Sequence, residues 1–276
     1  MEILICTDGS NSSIQSAELI SKLGFPATTR IIVLGVSENK IDVEKLTASM
    51  NQIEKSLTVT YGITKKIRYG NPIEEILAEA LESSCDLVAV GGGGDQVGLL
   101  HLQIGSSTSK LARKLHTHFL VARNIPKQLG KVLVCVGADA PASETMKLGG
   151  EWISKTSAKI GLLHVIPISK VGSAVLSKTE PIRYTSSFEV KQTQDELLIE
   201  RASQQLRDAG VSSEIVSRTR RGLVVEEVLA ELSEGGYDFL IVGAHYQPGQ
   251  DRWQGTLLDD VSDQLLNRST CSILII

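Results

Sequence analysis

Short runs of consecutive apolar residues alternate along the chain with longer stretches in which apolar residues recur every three or four positions. The short runs, such as residues 3–7, 30–36 and 86–90, are typical of strands buried on both faces, and the longer stretches are typical of the helices that cover them. From the first strand to residue 122, strands and helices alternate and end on a fifth strand. This order predicts an α/β fold with a mostly parallel sheet covered by helices on both faces.

Individual residues refine three places in this first half. Ser12 or Ser13 is a candidate cap for the first helix, because a serine hydroxyl accepts hydrogen bonds from the free amides at a helix start. Pro72 suits the first turn of a helix over residues 73–82, where its missing N–H costs little. Residues 57–61 and 65–69 are candidate strand pieces joined by a turn that begins at Gly62.

The same pattern starts again at residue 131 and runs in register with the first half. Asp238 and Gly243 each lie 152 residues after their counterparts Asp86 and Gly91. At the first strand the offset is only 129 residues, so the second half carries about 23 extra residues in between. We place them over 168–194, in a longer loop or helical arm.

The repeat predicts two tandem domains, residues 1–125 and 130–276, joined by a short linker. Charge and composition argue against some classes of partner for these domains. A formal net charge of −4 argues against a nucleic-acid partner, which needs a basic surface. No apolar run approaches the ~18 residues of a membrane span, and residues 1–8 lack a basic leader, so we expect a cytoplasmic protein without a membrane partner. The cysteines lack metal-binding spacing and are expected to be buried thiols: Cys6, Cys85, Cys135 and Cys271.

The strongest chemical signal is the glycine-rich stretch that follows the strand at 86–90. It runs from Gly91 through four consecutive glycines to a helix start rich in hydroxyls, with Ser106, Ser107 and Thr108 in sequence. Bare backbone amides next to a helix N-terminus are suited to bind an anion such as a phosphate. An ordinary glycine turn with a serine cap is an equally plain interpretation of the same residues.

The repeat and its motifs resemble the universal stress protein family in its tandem form. The resemblance covers essentially the whole chain and is carried by residues 3–10, by 163–165, by the two Asp-initiated strands and by the helix starts at Gly105-Ser106 and Gly255-Thr256. It implies five-stranded, Rossmann-like domains of the adenine-nucleotide-binding kind. It also implies pairing of the two domains through their last strands, residues 118–122 and 272–276.

The family resemblance further implies an adenine nucleotide, ATP or AMP, in the first domain, with Mg²⁺ accompanying ATP. Carried over position by position, Asp8 would lie near the sugar and base, and the backbone of Val36 would meet the adenine edge. The phosphates would be held by residues of the glycine-rich stretch: Gly91, Gly92, Gly94, Gly105, Ser106 and Ser107. The alternatives are a turn aspartate at Asp8 and a core valine at Val36.

The match to the family pattern is imperfect. Ten residues separate Gly94 from Gly105, one more than the pattern has, and counting from Gly92 instead puts Asp95 where a glycine is expected. The stretch also has no Lys or Arg, which weighs against a triphosphate and leaves AMP, adenosine or another small anion open. In the second domain Gly137 replaces the aspartate and His245 enters the loop, so we expect a degenerate site there.

Two functions follow from these observations. The first is a stress-response regulatory protein that binds an adenine nucleotide in its first domain. The second is an interaction scaffold without nucleotide, with the two domains paired internally and residues 168–194 as the contact element for a protein partner. No nucleophile or base is placed for catalysis, so any enzymatic activity would be slow ATP hydrolysis at most.

Overall fold

A computed structural model of the chain describes residues 1–38, 43–57, 62–92, 107–137, 141–168, 185–244 and 260–276. The first half contains β1 (Glu2–Thr7), α1 (Asn11–Lys22), β2 (Arg30–Ser37), α2 (Val43–Ser56), β3 (Gly62–Tyr69), α3 (Pro72–Glu82), β4 (Leu87–Gly91), α4 (Ser107–Lys114) and β5 (His118–Ala122). The second half contains β6 (Lys131–Val136), α5 (Pro141–Ile153), β7 (Lys159–Pro167), α6 (Thr185–Asp208), β8 (Ile215–Gly222), α7 (Val224–Gly235), β9 (Phe239–Val242), α8 (Asp260–Arg268) and β10 (Ser272–Ile275). No helix among the described residues is both long and apolar enough to cross a membrane.

The ten strands form one continuous sheet in the order β3-β2-β1-β4-β5-β10-β9-β6-β7-β8. Each half is a parallel five-stranded sheet with the strand order of a doubly wound fold, as the alternation of elements predicts. β5 and β10 pair antiparallel at the centre, which is the pairing that the family resemblance implies. The two halves are therefore joined through backbone hydrogen bonds.

The seam between the halves has a local two-fold symmetry. Leu120 pairs with Leu274, and the flanking pairs are arranged symmetrically around them. The two leucines hold equivalent places, since Leu120 lies beside Ala89 of β4 and Leu274 lies beside Ile241 of β9. Both leucine side chains are fully buried. The interface is thus the same patch used twice, as in a symmetric dimer built within one chain.

Helices cover both faces of the sheet and create two apolar cores. α1, α2, α5 and α6 pack on one face, and α3, α4, α7 and α8 pack on the other. The strands serve both cores in alternation, as Ile3 and Ile5 face the first group of helices while Leu4 and Cys6 face the second. This explains why the strand sequences are continuous apolar runs.

The same buried ion-pair network ties an outer strand to a helix in each half. Glu79 of α3 is fully buried, and its carboxylate accepts hydrogen bonds from Lys66 (2.7 Å) and from Nε of Arg68 (2.8 Å) on β3. Glu231 of α7 accepts from Nε of Arg220 on β8 at the same distance, 2.8 Å. Burial acts to raise the pKa of Glu79, but the bonds from Lys66 and Arg68 outweigh it and lower that pKa.

Two local expectations are corrected by the structure, and a third is covered only in part. Residues 62–64 are not a turn but the first residues of β3, because they pair with Arg30, Ile31 and Ile32 of the neighbouring strand. The cap of α1 is Ser10 rather than Ser12 or Ser13, and its side chain makes no capping hydrogen bond. The proposed insertion is helical from Thr185 onward, as part of α6, and residues 169–184 lie outside the described residues.

Candidate functional site

The candidate site lies at the edge of the first half where the parallel strands β2, β1 and β4 end. In the order β3-β2-β1-β4-β5, the chain adds strands toward one edge of the sheet from β1 to β3 and toward the opposite edge from β4 to β5, so the strand order reverses between the parallel strands β1 and β4. Crossover connections leave opposite faces at such a point, so the carboxyl ends of the two strands open into a crevice where doubly wound folds bind ligands. Asp8 follows β1, Val36 lies near the end of β2, and Gly91 ends β4. The topology therefore brings these predicted site residues to one edge.

Asp8 is a buried carboxylate that organises the start of α1. Its Oδ1 atom accepts a hydrogen bond from the amide of Ser10 (2.9 Å) and from the hydroxyl of Ser13 (3.0 Å), and the residue is 8% exposed. These are the contacts of a turn aspartate, which is one of the two interpretations of the sequence. Among the described residues, Oδ2 accepts no hydrogen bond. One carboxylate oxygen thus holds the start of α1, and the other is not used by that contact.

Gly91 allows α1 to approach the end of β4. A Cβ atom at position 91 would lie 2.7 Å from the amide nitrogen of Ser13 and closer still to the carbonyl oxygen of Ser12. Both are backbone atoms, so no rotation of a side chain could make room. The glycine is required by the packing of α1 against β4, whatever the ligand. Asp8 and Gly91 are held together through the same first turn of α1.

Gly92 makes a second close approach, this time to the neighbouring strand. Its amide donates a hydrogen bond to the carbonyl oxygen of Ala122 at 2.7 Å. A Cβ atom at this position would lie 2.6 Å from Nε of Arg123, whose side chain passes directly beside it. Gly92 therefore joins the start of the glycine-rich stretch to the end of β5.

Val36 is a core residue by its side chain. It is 4% exposed and packs in the core on the α3 and α4 face of the sheet. The alternative interpretation from the sequence is therefore correct for the side chain. The burial of the side chain does not test the suggested contact of the Val36 backbone with an adenine edge, which stays a prediction.

The remaining predicted site residues are only partly covered by the structure. Gly94, Gly105 and Ser106 lie outside the described residues. Ser107 is the first residue of α4, so the helix begins where the sequence places a helix start. The structure thus describes the two ends of the glycine-rich stretch, at Gly92 and at α4.

Two cationic side chains that the sequence analysis did not assign to the site flank the crevice. Gly9 has a φ of +81°, and a Cβ atom there would lie 2.9 Å from Cγ of Lys45, so the stem of this α2 lysine passes over the end of β1. Arg123, beside Gly92, lies at the opposite flank. Neither residue is in the glycine-rich stretch. An arginine directly after a buried strand is the one signal that could have indicated Arg123 from the sequence.

The equivalent edge of the second half is built differently. Gly137 takes the place of Asp8 and is exposed, with no atom within 4 Å of a Cβ placed there. His164 is buried at the end of β7, where its Nδ1 lies 3.0 Å from the carbonyl oxygen of Val136 and its Nε2 lies 3.3 Å from Oδ1 of Asp195 on α6. His245 and its loop lie outside the described residues.

The comparisons with known proteins agree with this geometry. The sequence model of the universal stress protein family matches residues 1–123 and again residues 129–276. The chain belongs to the universal stress protein family. Both halves are family domains, and the resemblance identified from the sequence is confirmed. A comparison with curated proteins found no match.

Solved structures share the whole tandem fold of this universal stress protein at low sequence identity. A functionally unknown protein from Pseudomonas aeruginosa PAO1 matches with a TM-score of 0.66 and 13% identity, over 100% of this chain and 92% of that chain. A universal stress protein from Archaeoglobus fulgidus DSM 4304 matches with a TM-score of 0.61 and 16% identity, over 99% of this chain and 95% of that chain. At such identities the likeness shows the fold alone.

Proposed function

We propose that this universal stress protein binds one adenine nucleotide, ATP or AMP, in the crevice of its first half and acts as a regulatory protein in a stress response. Asp8 would hold the sugar and base end, and the backbone of Val36 would meet the adenine edge. The phosphates would lie against the glycines and hydroxyls between β4 and α4: Gly91, Gly92, Gly94, Gly105, Ser106 and Ser107. Ligand occupancy would change the surface that this edge offers to a partner protein.

The observation that carries the proposal is the arrangement of β1 and β4 at the crevice. A buried aspartate, whose second carboxylate oxygen accepts no hydrogen bond from the described residues, follows β1 beside the end of β4, where Gly91 and Gly92 carry no side chains. Such an edge offers an acceptor for ribose hydroxyls and bare backbone for phosphates. Lys45 and Arg123 supply positive charge at the two flanks. The charge that the glycine-rich stretch lacks is therefore provided by other elements.

A stoichiometry of one nucleotide per chain follows from the difference between the two halves. The exposed Gly137 offers no carboxylate at the place of Asp8. His164 pairs with Val136 of β6 as Gly35 pairs with Thr7 of β1, so the second half carries an imidazole, hydrogen-bonded to Asp195 of α6, where the first half has a glycine. We propose that the second half has lost nucleotide binding and serves the pairing of the two domains, residues 1–125 and 130–276.

Metal binding would be secondary to the nucleotide. Among the described residues, no group of three or more His, Cys, Asp or Glu side chains could hold a metal ion. Mg²⁺ would therefore enter together with ATP, bound to its phosphates, and AMP would bind without it.

The test separates the two roles of Asp8. Asp8→Ala removes both carboxylate oxygens, whereas Ser13→Ala removes the hydroxyl that donates to Oδ1 and leaves the carboxylate in place. We expect Asp8→Ala to weaken ATP and AMP binding by about tenfold or more, the effect of one lost hydrogen bond to a charged group. Ser13→Ala should change the affinity by less than about threefold while costing similar stability. Equal effects of the two variants in a calorimetric titration would remove Asp8 from the ligand site.

The interaction scaffold remains the second candidate function, and one observation favours it. The contacts of Asp8 with Ser10 and Ser13 account for a buried aspartate at this position without a ligand. In that case the two variants above would affect stability alone. The protein would bind a partner through a surface of the paired halves and show no affinity for adenosine, AMP or ATP.

A further inference from the structure

Arg123 is a buried guanidinium that no carboxylate of the described residues neutralises. The residue is 6% exposed and follows β5 at the seam between the two halves. Its two terminal nitrogens donate to α8 and the residues after it: Nη2 to the carbonyl oxygen of Leu266 (2.9 Å) and Nη1 to the carbonyl and hydroxyl oxygens of Ser269 (3.2 and 3.1 Å). Among the described residues, no acidic side chain forms an ion pair with it. Burial lowers the pKa of Arg123 because its charge is removed from water.

The third nitrogen of the same guanidinium has no partner within the described part of the chain. Nε of Arg123 is buried and makes no hydrogen bond to any part of the chain that the structure describes. An unsatisfied buried N–H of a charged group is costly, and native proteins rarely leave one without a hydrogen-bond partner. The cap on α8 therefore accounts for two nitrogens of Arg123 and leaves Nε unexplained.

The position of this nitrogen is at the start of the glycine-rich stretch. Nε lies beside Gly92, where a Cβ atom would be only 2.6 Å away. The other end of the stretch, the first turn of α4, contacts the same part of α8 as the guanidinium. The hydroxyl of Ser109 in that turn donates to Asn267 of α8 at 3.0 Å. The neighbouring residue, Leu266, accepts from Arg123. Arg123 thus lies between Gly92 and the N-terminal turn of an eight-residue helix. A helix N-terminus and an unpaired guanidinium both attract an anion.

We propose that Arg123 is a specificity-determining residue that donates its Nε–H to a phosphate group bound between Gly92 and the N-terminus of α4. The inference deepens the proposed nucleotide site and rests on it for the adenine part of the ligand. Its own content is the phosphate: Arg123 makes the site select phosphorylated ligands over nucleosides. Because Arg123 also caps α8, the phosphate site is completed by a contact with the second half.

The experiment compares ligands with and without phosphate. The wild-type protein, Arg123→Gln and the control Arg113→Gln are titrated calorimetrically with ATP, adenosine and inorganic tripolyphosphate. Arg113 joins α4 to α8 through Asp263 (2.5 Å), so the control also weakens the contact between the halves but lies away from Gly92. We expect Arg123→Gln to weaken ATP and tripolyphosphate by about tenfold or more and adenosine by less than about twofold. Arg113→Gln should leave all three affinities within about twofold of wild type.

The outcomes distinguish this inference from the proposed function. A wild-type protein that binds ATP and adenosine equally well keeps the nucleotide site but overturns the role of Arg123. A wild-type protein that binds tripolyphosphate but not adenosine, with the loss confined to Arg123→Gln, supports the role of Arg123 and overturns the adenine site. An equal loss for ATP and adenosine in Arg123→Gln would mean that the arginine only supports the fold.

A second measurement needs no variant, in case Arg123→Gln does not fold. The Nε–H resonance of Arg123 in the ¹⁵N-labelled wild-type protein is assigned through its own side-chain correlations. We expect this resonance to shift on addition of ATP or tripolyphosphate and to stay in place with adenosine. An unchanged resonance at saturating ATP would overturn the proposal.

Discussion

Gly91 and Gly243 hold equivalent positions at the ends of β4 and β9, yet alanine should have very different effects at the two sites. At position 91 the new Cβ would lie 2.7 Å from the backbone nitrogen of Ser13 and nearer still to the oxygen of Ser12. At position 243 it would meet one side-chain atom, the hydroxyl of Thr145, at 2.7 Å, and no other atom within 3.5 Å. The same substitution thus faces a rigid backbone in one half and a side chain in the other.

The geometry gives the size of the effect. An ordinary contact needs about 3.4 Å, and the oxygen of Ser12 is nearer than the nitrogen of Ser13 at 2.7 Å, so α1 and β4 must separate by more than about 0.7 Å in Gly91→Ala. Displacements of this kind in a packed core cost ~2–3 kcal/mol. For Gly243→Ala we expect at most about 1 kcal/mol, since one hydroxyl must adjust. Gly91 is also one of the proposed phosphate-binding residues, so Gly91→Ala should weaken nucleotide binding as well.

Denaturant unfolding of the two variants provides the measurement, with a nucleotide titration of each folded variant alongside. The free energy of unfolding should fall for Gly91→Ala by at least about twice as much as for Gly243→Ala, and ligand affinity should fall only for Gly91→Ala. Equal losses of stability, or a Gly91→Ala protein as stable as wild type, would refute the claim that the α1 backbone excludes a side chain at this position.

Three further predictions concern the fold around the site. Glu79→Gln should cost about 2 kcal/mol of stability by removing the charge that Lys66 and Arg68 share. Because the folded protein lowers the pKa of Glu79, the stabilisation by Glu79 exists above its ordinary pKa of 4.5 and is lost as pH falls. The melting temperature of the variant should therefore fall less steeply than that of the wild type between about pH 6 and about pH 3, and equal slopes would contradict this. Leu120→Ala and Leu274→Ala should each lower the free energy of unfolding by about 3 kcal/mol. Because the two buried leucines pair across the seam, a double-mutant cycle should show a coupling of at least about 0.5 kcal/mol. Strict additivity would contradict a shared core at the seam. Burial raises the pKa of the Cys85 thiol to about 12 and shifts the pKa of Cys6 and Cys271 in the same direction. These three cysteines are buried, so a thiol reagent at about pH 8 should label them only after unfolding, and rapid labelling of them in the native protein would contradict their burial.

The sequence predicts the fold well because the strand pattern and the repeat are both strong. Continuous apolar runs such as residues 3–7 are buried on both faces, and the equal spacing of Asp86 and Asp238 from the glycine that ends each strand marks the same unit twice. The error at residues 62–64 has a clear cause. Gly62 suggests a turn locally, but pairing with Arg30 of β2 extends the strand through it.

The candidate site is less accessible to sequence reasoning because its members come from separate elements. The motif match assigns Asp8 and the glycines, but the contact between Asp8 and Ser13 appears only once α1 is packed on β1. Arg123 lies outside every motif and reaches Gly92 only through the pairing of β4 with β5. Lys45 likewise reaches Gly9 only through the packing of α2. A search for positive charge within the glycine-rich stretch could find neither cation.

The measurement that tests the central claim most directly is a calorimetric titration of the purified full chain with ATP and with AMP. The account predicts saturable binding of one adenine nucleotide per chain, which disappears or weakens at least about tenfold in Asp8→Ala while that variant stays folded. Two nucleotides per chain would contradict the assignment of the second half as a degenerate site. No binding of ATP, AMP or adenosine would contradict the nucleotide-binding function itself and leave the interaction scaffold as the function of this protein.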